Sequence, residues 1–274
     1  FFLAPVCAVI GSLAAQYVLG GHIRQLKFPY DFASLYAFGS LCLLAVTASS
    51  SFYQLTPVAD EKRPPLFPAL VASSREYLQS TPLVLLFGVY LFGSSAIAVS
   101  PTLSLYTSHA VDTTRVNFSG LLMALRFGGK SLGGYLLGMV AIRWGLNASV
   151  TASLTLLLCA ILWGWLIPGY AFLFAFGLIG AGELSAAYIP NYGIAFSRRQ
   201  TTARNLSLLM MASPLAGISP ALYGFLADRW GFNASFAFAL GVALAALGLI
   251  RCLRKQSIVA KSGRHPDEWT EVPA

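Results

Sequence analysis

Apolar residues along the chain fall into eight long runs that are separated by shorter polar segments. The runs cover residues 1–19, 33–55, 82–108, 119–142, 147–167, 170–194, 206–227 and 233–252. A helix needs about 20 such residues to cross the hydrocarbon of a bilayer. Lipid offers no partners for backbone N–H and C=O groups, and the runs are too long and continuous for barrel strands. The pattern therefore predicts an all-α membrane protein with eight transmembrane helices.

The composition agrees with lipid as the main solvent of the chain. Hydrophobic residues make up 57% of the 274 positions and charged residues 10%, whereas about a quarter of a soluble domain is charged. The net charge is +8, but no basic stripe is interleaved with exposed aromatic residues, so nucleic acid is not expected as a partner. The basic residues instead indicate an orientation in the membrane and contact with anionic lipids.

The basic residues are distributed unequally between the two sides of such a bundle. Twelve of the 18 Lys and Arg residues lie on the side that holds the 56–81 connection and the carboxy-terminal tail, and four lie on the other side. The positive-inside rule assigns the richer side to the cytoplasm. We therefore expect a multi-pass protein of the cell membrane (plasma or inner membrane) with a cytoplasmic carboxy terminus. The chain begins within an apolar run, without a basic leader, which predicts that an upstream part is absent.

A twelve-residue word occurs twice in the chain. Residues 138–149 read GMVAIRWGLNAS and residues 224–235 read GFLADRWGFNAS, 86 positions later. The alternative of a chance match is disfavoured because both copies occupy the same helix–loop–helix place. Three predicted spans separate the copies, so they would face opposite sides of the membrane. Inverted repeats of three helices are a known construction of transporters.

This loop word resembles the signature Gly-x-Leu-Ala-Asp-Arg-x-Gly of the major facilitator superfamily. The second copy fits through Gly224, Asp228, Arg229 and Gly231, and the first fits in part through Gly138, Arg143 and Gly145. The first copy has Ile142 where the family has Asp, and the better copy lies on the predicted outer side. The resemblance implies that these seven residues belong to a gating motif.

The resemblance also implies a domain organisation. Residues 1–55 would be the last two helices of an amino-terminal half, and 56–81 the central cytoplasmic linker. Residues 82–252 would be a complete six-helix carboxy-terminal half made of two inverted three-helix repeats, and 253–274 a cytoplasmic tail. The eight spans would then be helices five to twelve of a twelve-helix transporter, whose first helices would be partners of this part of the chain.

Three ionisable residues lie near the middle of apolar runs. Arg126 and Lys130 are four residues apart and share one helix face, and Glu183 is the only acidic residue deep in a run. A central charge costs at least about 2.5–3.5 kcal/mol on insertion scales. Arg126 and Lys130 are candidates for binding an anionic substrate group, or for holding an internal carboxylate or snorkelling. Glu183 is a candidate proton-coupling residue, with a permanent salt bridge as the alternative. Either role predicts that the three meet in the bundle interior.

Two further patterns suggest sites inside the bundle. Segment 82–108 carries a polar stripe through Tyr90, Ser94 and Ser104, with Pro101 in it. Because the family's seventh helix lines the cavity, the resemblance implies that these three residues face the substrate, although hydroxyls in spans are often interhelical contacts only. Gly129, Gly133, Gly134 and Gly138 form a ladder that predicts close packing on another helix.

The sequence contains no arrangement typical of an enzyme. We found no catalytic constellation, no metal-binding spacing of Cys or His residues and no phosphate-binding loop, so neither catalysis nor a cofactor is expected. We therefore expect a secondary active transporter that moves a small polar solute, with an anion as one option, by alternating access and with a proton as the coupling ion. The alternatives are an uncoupled facilitator or exchanger of the same fold, and a membrane scaffold or lipid-handling protein.

Overall fold

The computed structural model describes residues 3–19, 30–50, 52, 66–111, 119–197 and 201–262, and all regular elements within these ranges are helices. The helices are α1 (Leu3–Leu19), α2 (Tyr30–Ser50), α3 (Leu66–Gln79), α4 (Thr81–Ile97), α5 (Ser100–Ala110), α6 (Ser119–Trp144), α7 (Leu146–Leu166), α8 (Phe174–Gly182), α9 (Ser185–Phe196), α10 (Thr202–Met210), α11 (Ala212–Ala216), α12 (Ser219–Trp230) and α13 (Phe232–Ser262). A short 3-10 turn, Gly169–Leu173, leads into α8. The predicted all-α class is confirmed.

Six helical segments within the described ranges are long and apolar enough to cross a membrane. They are Ala33–Ser50, Thr81–Ala110, Leu146–Leu166, Gly169–Phe196, Thr202–Trp230 and Phe232–Arg254. The other two predicted spans are helical but fall short. The apolar part of α1 is only Val6–Val18, and α6 carries Arg126 and Lys130, which lower its hydropathy. The protein therefore has the character of a multi-pass membrane protein, and the count of eight spans stays a prediction.

The element boundaries differ from the predicted ones at two places. Helix α13 runs to Ser262, so the first part of the predicted 253–274 tail is helical. Helix α3 fills the second half of the predicted 56–81 linker. Residues 56–65 of that linker and 263–274 of that tail lie outside the described residues.

Three of the long segments are interrupted near their middle. Helix α4 gives way to α5 at residues 98–99, just before Pro101, and α8 gives way to α9 at residues 183–184. The third segment is broken at Met211 and at residues 217–218, where Pro214 and Pro220 lie in the following helical turns. Proline lacks an N–H and clashes with the preceding turn, which is tolerated where neighbouring helices cover the freed backbone groups.

The hydrophobic core is formed between packed pairs of helices. Helix α4 packs against α13 and α11, and α8 packs against α7 and α6. One buried cluster centres on Phe172, Phe176 and Phe236, and a second on Leu86, Leu154 and Ile250. Helix α1 contacts α6, whereas no residue in the apolar window of α2 is buried. The packed part of the described chain thus consists of α4–α5, α6, α7, α8–α9, α10–α12 and α13.

The two copies of the repeated word have the same backbone conformation at their turn. Gly145 has φ 84° and ψ 166°, and Gly231 has φ 82° and ψ 168°. This region of conformational space is essentially restricted to glycine. In both copies the glycine N–H closes the preceding helix at 2.9 Å, on Ala141 O and on Ala227 O. The recurring Gly in the word is therefore required by the turn geometry.

A serine in each copy makes an equivalent contact across the turn. Ser149 Oγ donates to Leu137 O at 2.8 Å, and Ser235 Oγ donates to Tyr223 O at 3.2 Å. Both serines are fully buried. Each hydroxyl satisfies a carbonyl of the preceding helix, so the two helix pairs, α6–α7 and α12–α13, are joined in the same way.

Helix α3 is fastened to the bundle by polar contacts at one end. Tyr77 is buried and its Oη donates to Leu83 O at 3.0 Å. Arg204 Nη2 lies 2.5 Å from Glu76 Oε2, which joins α3 to α10. The second half of the predicted linker is therefore a surface helix that is anchored to the bundle through Glu76 and Tyr77.

The pH dependence of stability should reveal the burial of Tyr77. Burial raises the pKa of Tyr77 from 10.0 to about 12. Because the phenol loses its proton first in the unfolded chain, its contribution is complete below about pH 10 and is lost as the pH rises toward 12. We expect Tyr77→Phe to cost about 1 kcal/mol at neutral pH, through the lost hydrogen bond, and to flatten this alkaline decline. Thermal unfolding in detergent between pH 7 and pH 12 measures both effects, and parallel curves for the two proteins would contradict the prediction.

Candidate functional site

Small residues bring α6 and α8 into close backbone contact. A Cβ atom added to Gly133 would lie 2.8 Å from Ala181 Cβ, and one added to Gly129 would overlap the backbone of Gly177. A Cβ on Gly180 would overlap the carbonyl of Arg126. The predicted close packing is therefore confirmed for one half of the ladder.

The other half of the ladder does not take part in this seam. A Cβ on Gly134 or Gly138 would have no described atom within 4 Å. Both sets of glycines have the GxxxG spacing, but residues 129 and 133 lie on the face toward α8. Gly138, a residue of the proposed gating motif, thus lies in open space within the described structure.

The close approach of α6 and α8 joins three charged side chains. Arg126 Nε and Nη2 both contact Glu183 Oε1, and Lys130 Nζ lies 3.4 Å from Glu183 Oε2. The side chains of Arg126, Lys130 and Glu183 are 22%, 32% and 9% exposed. The predicted meeting of the three residues is confirmed.

The three side chains of this charge cluster depend on one another for charge compensation. Two cations share one carboxylate, so the cluster carries one net positive charge. Removing one partner from a buried pair typically costs 3–5 kcal/mol, because the remaining charge is left without compensation. Arg126 makes two contacts to one oxygen, whereas the Lys130 contact lies near the outer limit of a hydrogen bond. Lys130 is therefore the more weakly held cation and the more exposed one.

Glu183 lies at the break between α8 and α9. Its own N–H continues α8 by donating to Ile179 O at 2.8 Å, but the next N–H, of Leu184, bonds to Ala181 O at 3.3 Å, one residue closer than in a regular α-helix. The side chain that holds the two cations thus projects from a helix joint. In transporters, discontinuous helices of this type form substrate and ion sites.

The polar stripe of α4 and α5 is not joined to the charge cluster by hydrogen bonds. Tyr90 is buried and its Oη lies 3.5 Å from Met210 Sδ. Ser104 Oγ donates to Ser100 O of its own helix at 3.1 Å, and Ser94 is half-buried. Tyr90 and Ser104 therefore bond to a neighbouring helix and to their own helix, respectively.

The charged residues of the repeated word lie at the exposed ends of their helices. The guanidinium of Arg143 lies 5.3 Å from the ring centroid of Trp144, a cation–π distance. Asp228 and Arg229 are exposed, and none of these three residues joins an ion pair in the described part of the chain. Two residues of the proposed gating motif, Gly145 and Gly231, are explained by the backbone conformation of the turn, which requires glycine.

Two features of the structure were not anticipated from the sequence. The Arg204–Glu76 pair links residues that are 128 positions apart, and nothing in either local pattern indicates a partner. Ser185, two residues after Glu183, is fully buried, and its hydroxyl has no hydrogen-bond partner among the described residues. Among the described residues, no group of three His, Cys, Asp or Glu side chains is placed to hold a metal ion.

The chain matches no protein-family model and no curated protein. The resemblance to the major facilitator superfamily therefore depends on the loop word and on the arrangement of apolar segments in this chain alone.

Proposed function

We infer that this protein is a secondary transporter of the major facilitator type, with its apolar segments corresponding to helices five to twelve. It moves a small polar, anionic solute through the cell membrane by alternating access, and a proton is the coupling ion. The observation that carries this inference is the sharing of the Glu183 carboxylate by Arg126 and Lys130 at a helix joint. Charges are retained inside apolar segments chiefly where they serve a pathway or a partner.

The cluster suggests how proton and solute are coupled. When Glu183 is ionised, its two oxygens neutralise Arg126 and Lys130. When Glu183 takes up a proton, both cations lose their counter-ion and an anionic group of the solute can replace it. Loss of the proton restores the ion pairs and displaces the solute. Because the contact with Lys130 is the longer one, Lys130 is the first group that we expect the solute to meet.

The symmetry of the packed helices supports the inverted-repeat part of the proposal. The helix breaks at residues 98–99 and 183–184 are 85 positions apart, within one residue of the 86-residue offset of the loop word. The contacts follow the same relation. Helix α4 packs on α13 and α11, and α8, which occupies the corresponding place in the second repeat, packs on α7 and α6. A pseudo-two-fold relation of two three-helix units accounts for both facts, and these six segments make eight spans when α1 and α2 are added.

An uncoupled facilitator or exchanger is the second candidate function. The specific observation in its favour is that Glu183 already bonds both cations, as a permanent structural bridge would. The third alternative, a membrane scaffold or lipid-handling protein, is less consistent with an interior charge cluster, because a scaffold gains nothing from charges in its core.

The test is solute uptake into proteoliposomes that contain the full-length protein. An inward proton gradient is imposed, and a panel of small organic anions and neutral sugars is compared for wild type and Arg126→Ala. The control is Arg254→Ala, which removes an exposed arginine that is not part of the cluster. We expect an anion to accumulate with wild type and the control, and at least a hundredfold less with Arg126→Ala, since loss of a desolvated charged contact costs about 3 kcal/mol. Uptake of neutral solutes that is unchanged by Arg126→Ala would refute an anion site at this cluster.

A further inference from the structure

A cavity lies between the surface helix α3 and the spans on which it rests. It has a volume of about 210 Å³ and lies between α3, α4, α10 and α11. Its walls include Tyr77, Val84, Phe87, Leu208, Met211 and Leu215. The lining is almost entirely apolar, and Met211 and Leu215 are 54% and 52% exposed at its rim. The cavity is therefore a groove that is open to the surroundings of the bundle.

The wall formed by α10 and α11 changes from charged to apolar along its length. Arg204, Leu208, Met211 and Leu215 follow one another at spacings of four, three and four residues. Leu208, Met211 and Leu215 all line the cavity, and Arg204 lies one turn before Leu208 on the same side of α10. One end of this wall thus presents a guanidinium, and the next three positions present hydrocarbon.

The charged end of the groove has an excess of positive charge. Arg204 bonds Glu76 through Nη2, while its Nε is buried without a partner among the described residues. Arg75 directly follows Ser74, which lines the cavity, and it is exposed and joins no described ion pair. Arg75, Glu76 and Arg204 together carry one net positive charge beside the apolar groove.

We propose that this groove is a binding site for one anionic phospholipid. The phosphate lies against Arg75 and Arg204, and one acyl chain lies in the groove along Leu208, Met211 and Leu215. The occupant is identified by this combination of positive charge at one end and apolar walls beyond it, in a protein whose α4 and α10–α12 segments have membrane-spanning character. The site does not depend on the proposed transport function.

Native mass spectrometry of the purified full-length protein tests the site with phosphatidylglycerol and phosphatidylcholine as probes. We expect wild type to retain one phosphatidylglycerol in preference to phosphatidylcholine. Arg75→Ala and Arg204→Ala should each weaken phosphatidylglycerol binding about fivefold, the effect of one basic residue near an anionic lipid surface. The matched control is Arg251→Ala, an exposed arginine on α13, which should leave binding unchanged.

A second pair of variants tests the apolar part of the groove. Met211→Trp fills the groove and should abolish the preference for phosphatidylglycerol, whereas Leu244→Trp, at an equally exposed position of α13, should not. Equal retention of both lipids by wild type, or undiminished binding by Met211→Trp, would overturn the proposal. It would also be overturned if the thiol of Met211→Cys failed to react with a lipid-soluble maleimide in the full-length protein, because another helix would then cover the groove.

Discussion

Glu183→Gln is expected to abolish concentrative uptake of the anionic solute and to preserve its exchange across the membrane. Glutamine has nearly the shape of glutamate and can still accept a hydrogen bond from Arg126, but it can neither take up nor release a proton. The cluster in the variant is fixed in the state in which both cations are without a carboxylate, so the solute binds without a proton. Accumulation against a gradient should fall to the background level, and counterflow of labelled solute should continue.

The measurement compares two assays on the same proteoliposomes. Uphill uptake is driven by an inward proton gradient, and counterflow is driven by preloaded solute alone, so counterflow reports that the variant is folded and inserted. Glu183→Asp keeps an ionisable group with a shorter reach and should retain part of the uphill uptake. If Glu183→Gln still concentrates the solute, Glu183 is a structural bridge and the uncoupled facilitator becomes the better description.

Gly180→Ala is expected to destabilise the protein by about 3 kcal/mol, the upper end of the usual effect of overpacking. The added Cβ would overlap the carbonyl oxygen of Arg126 on the facing helix. That oxygen belongs to the backbone, so it moves only if α6 and α8 separate. Such a separation would also draw Arg126 away from Glu183, and the variant should lose transport along with stability.

The control for this variant is the same substitution on the open side of the seam. Gly134→Ala adds a methyl group where no described atom lies within 4 Å, and alanine favours the helical state over glycine by about 1 kcal/mol. Thermal unfolding in detergent should therefore show a lower midpoint for Gly180→Ala and an unchanged or higher one for Gly134→Ala. Similar midpoints for the two variants would show that the α6–α8 contact is looser than described here.

The sequence predicts the helices of this protein better than their partners. Apolar runs locate the long helices because lipid leaves the backbone few other conformations. The meeting of Arg126, Lys130 and Glu183 is predictable for a similar reason, since buried charges need each other. The same two basic residues lower the hydropathy of α6 so far that it is not among the six segments of clear membrane-spanning character.

The remaining features depend on tertiary packing that local patterns do not contain. The ladder of α6 offers two GxxxG faces, and only the positions of α8 decide that Gly129 and Gly133 form the seam. The contact of Tyr90 with Met210 joins residues 120 positions apart. The expectation that the stripe of Tyr90 and Ser104 faces a substrate came from the family resemblance, which carries no information about the neighbours of these side chains in this chain.

The two glycine turns allow the two copies of the repeated word to be compared within one chain. Gly145 and Gly231 have the same dihedral angles, and Ser149 and Ser235 close the turns in the same way. The residues needed to form the turn are therefore the same in both copies. A position where the copies differ is not needed for the turn. Ile142, which is 91% exposed, stands where the second copy has Asp228. An isoleucine so exposed contributes nothing to the packing of the turn. Whether this position holds isoleucine or aspartate is therefore set by the surroundings of that end of the bundle and not by the fold of the turn.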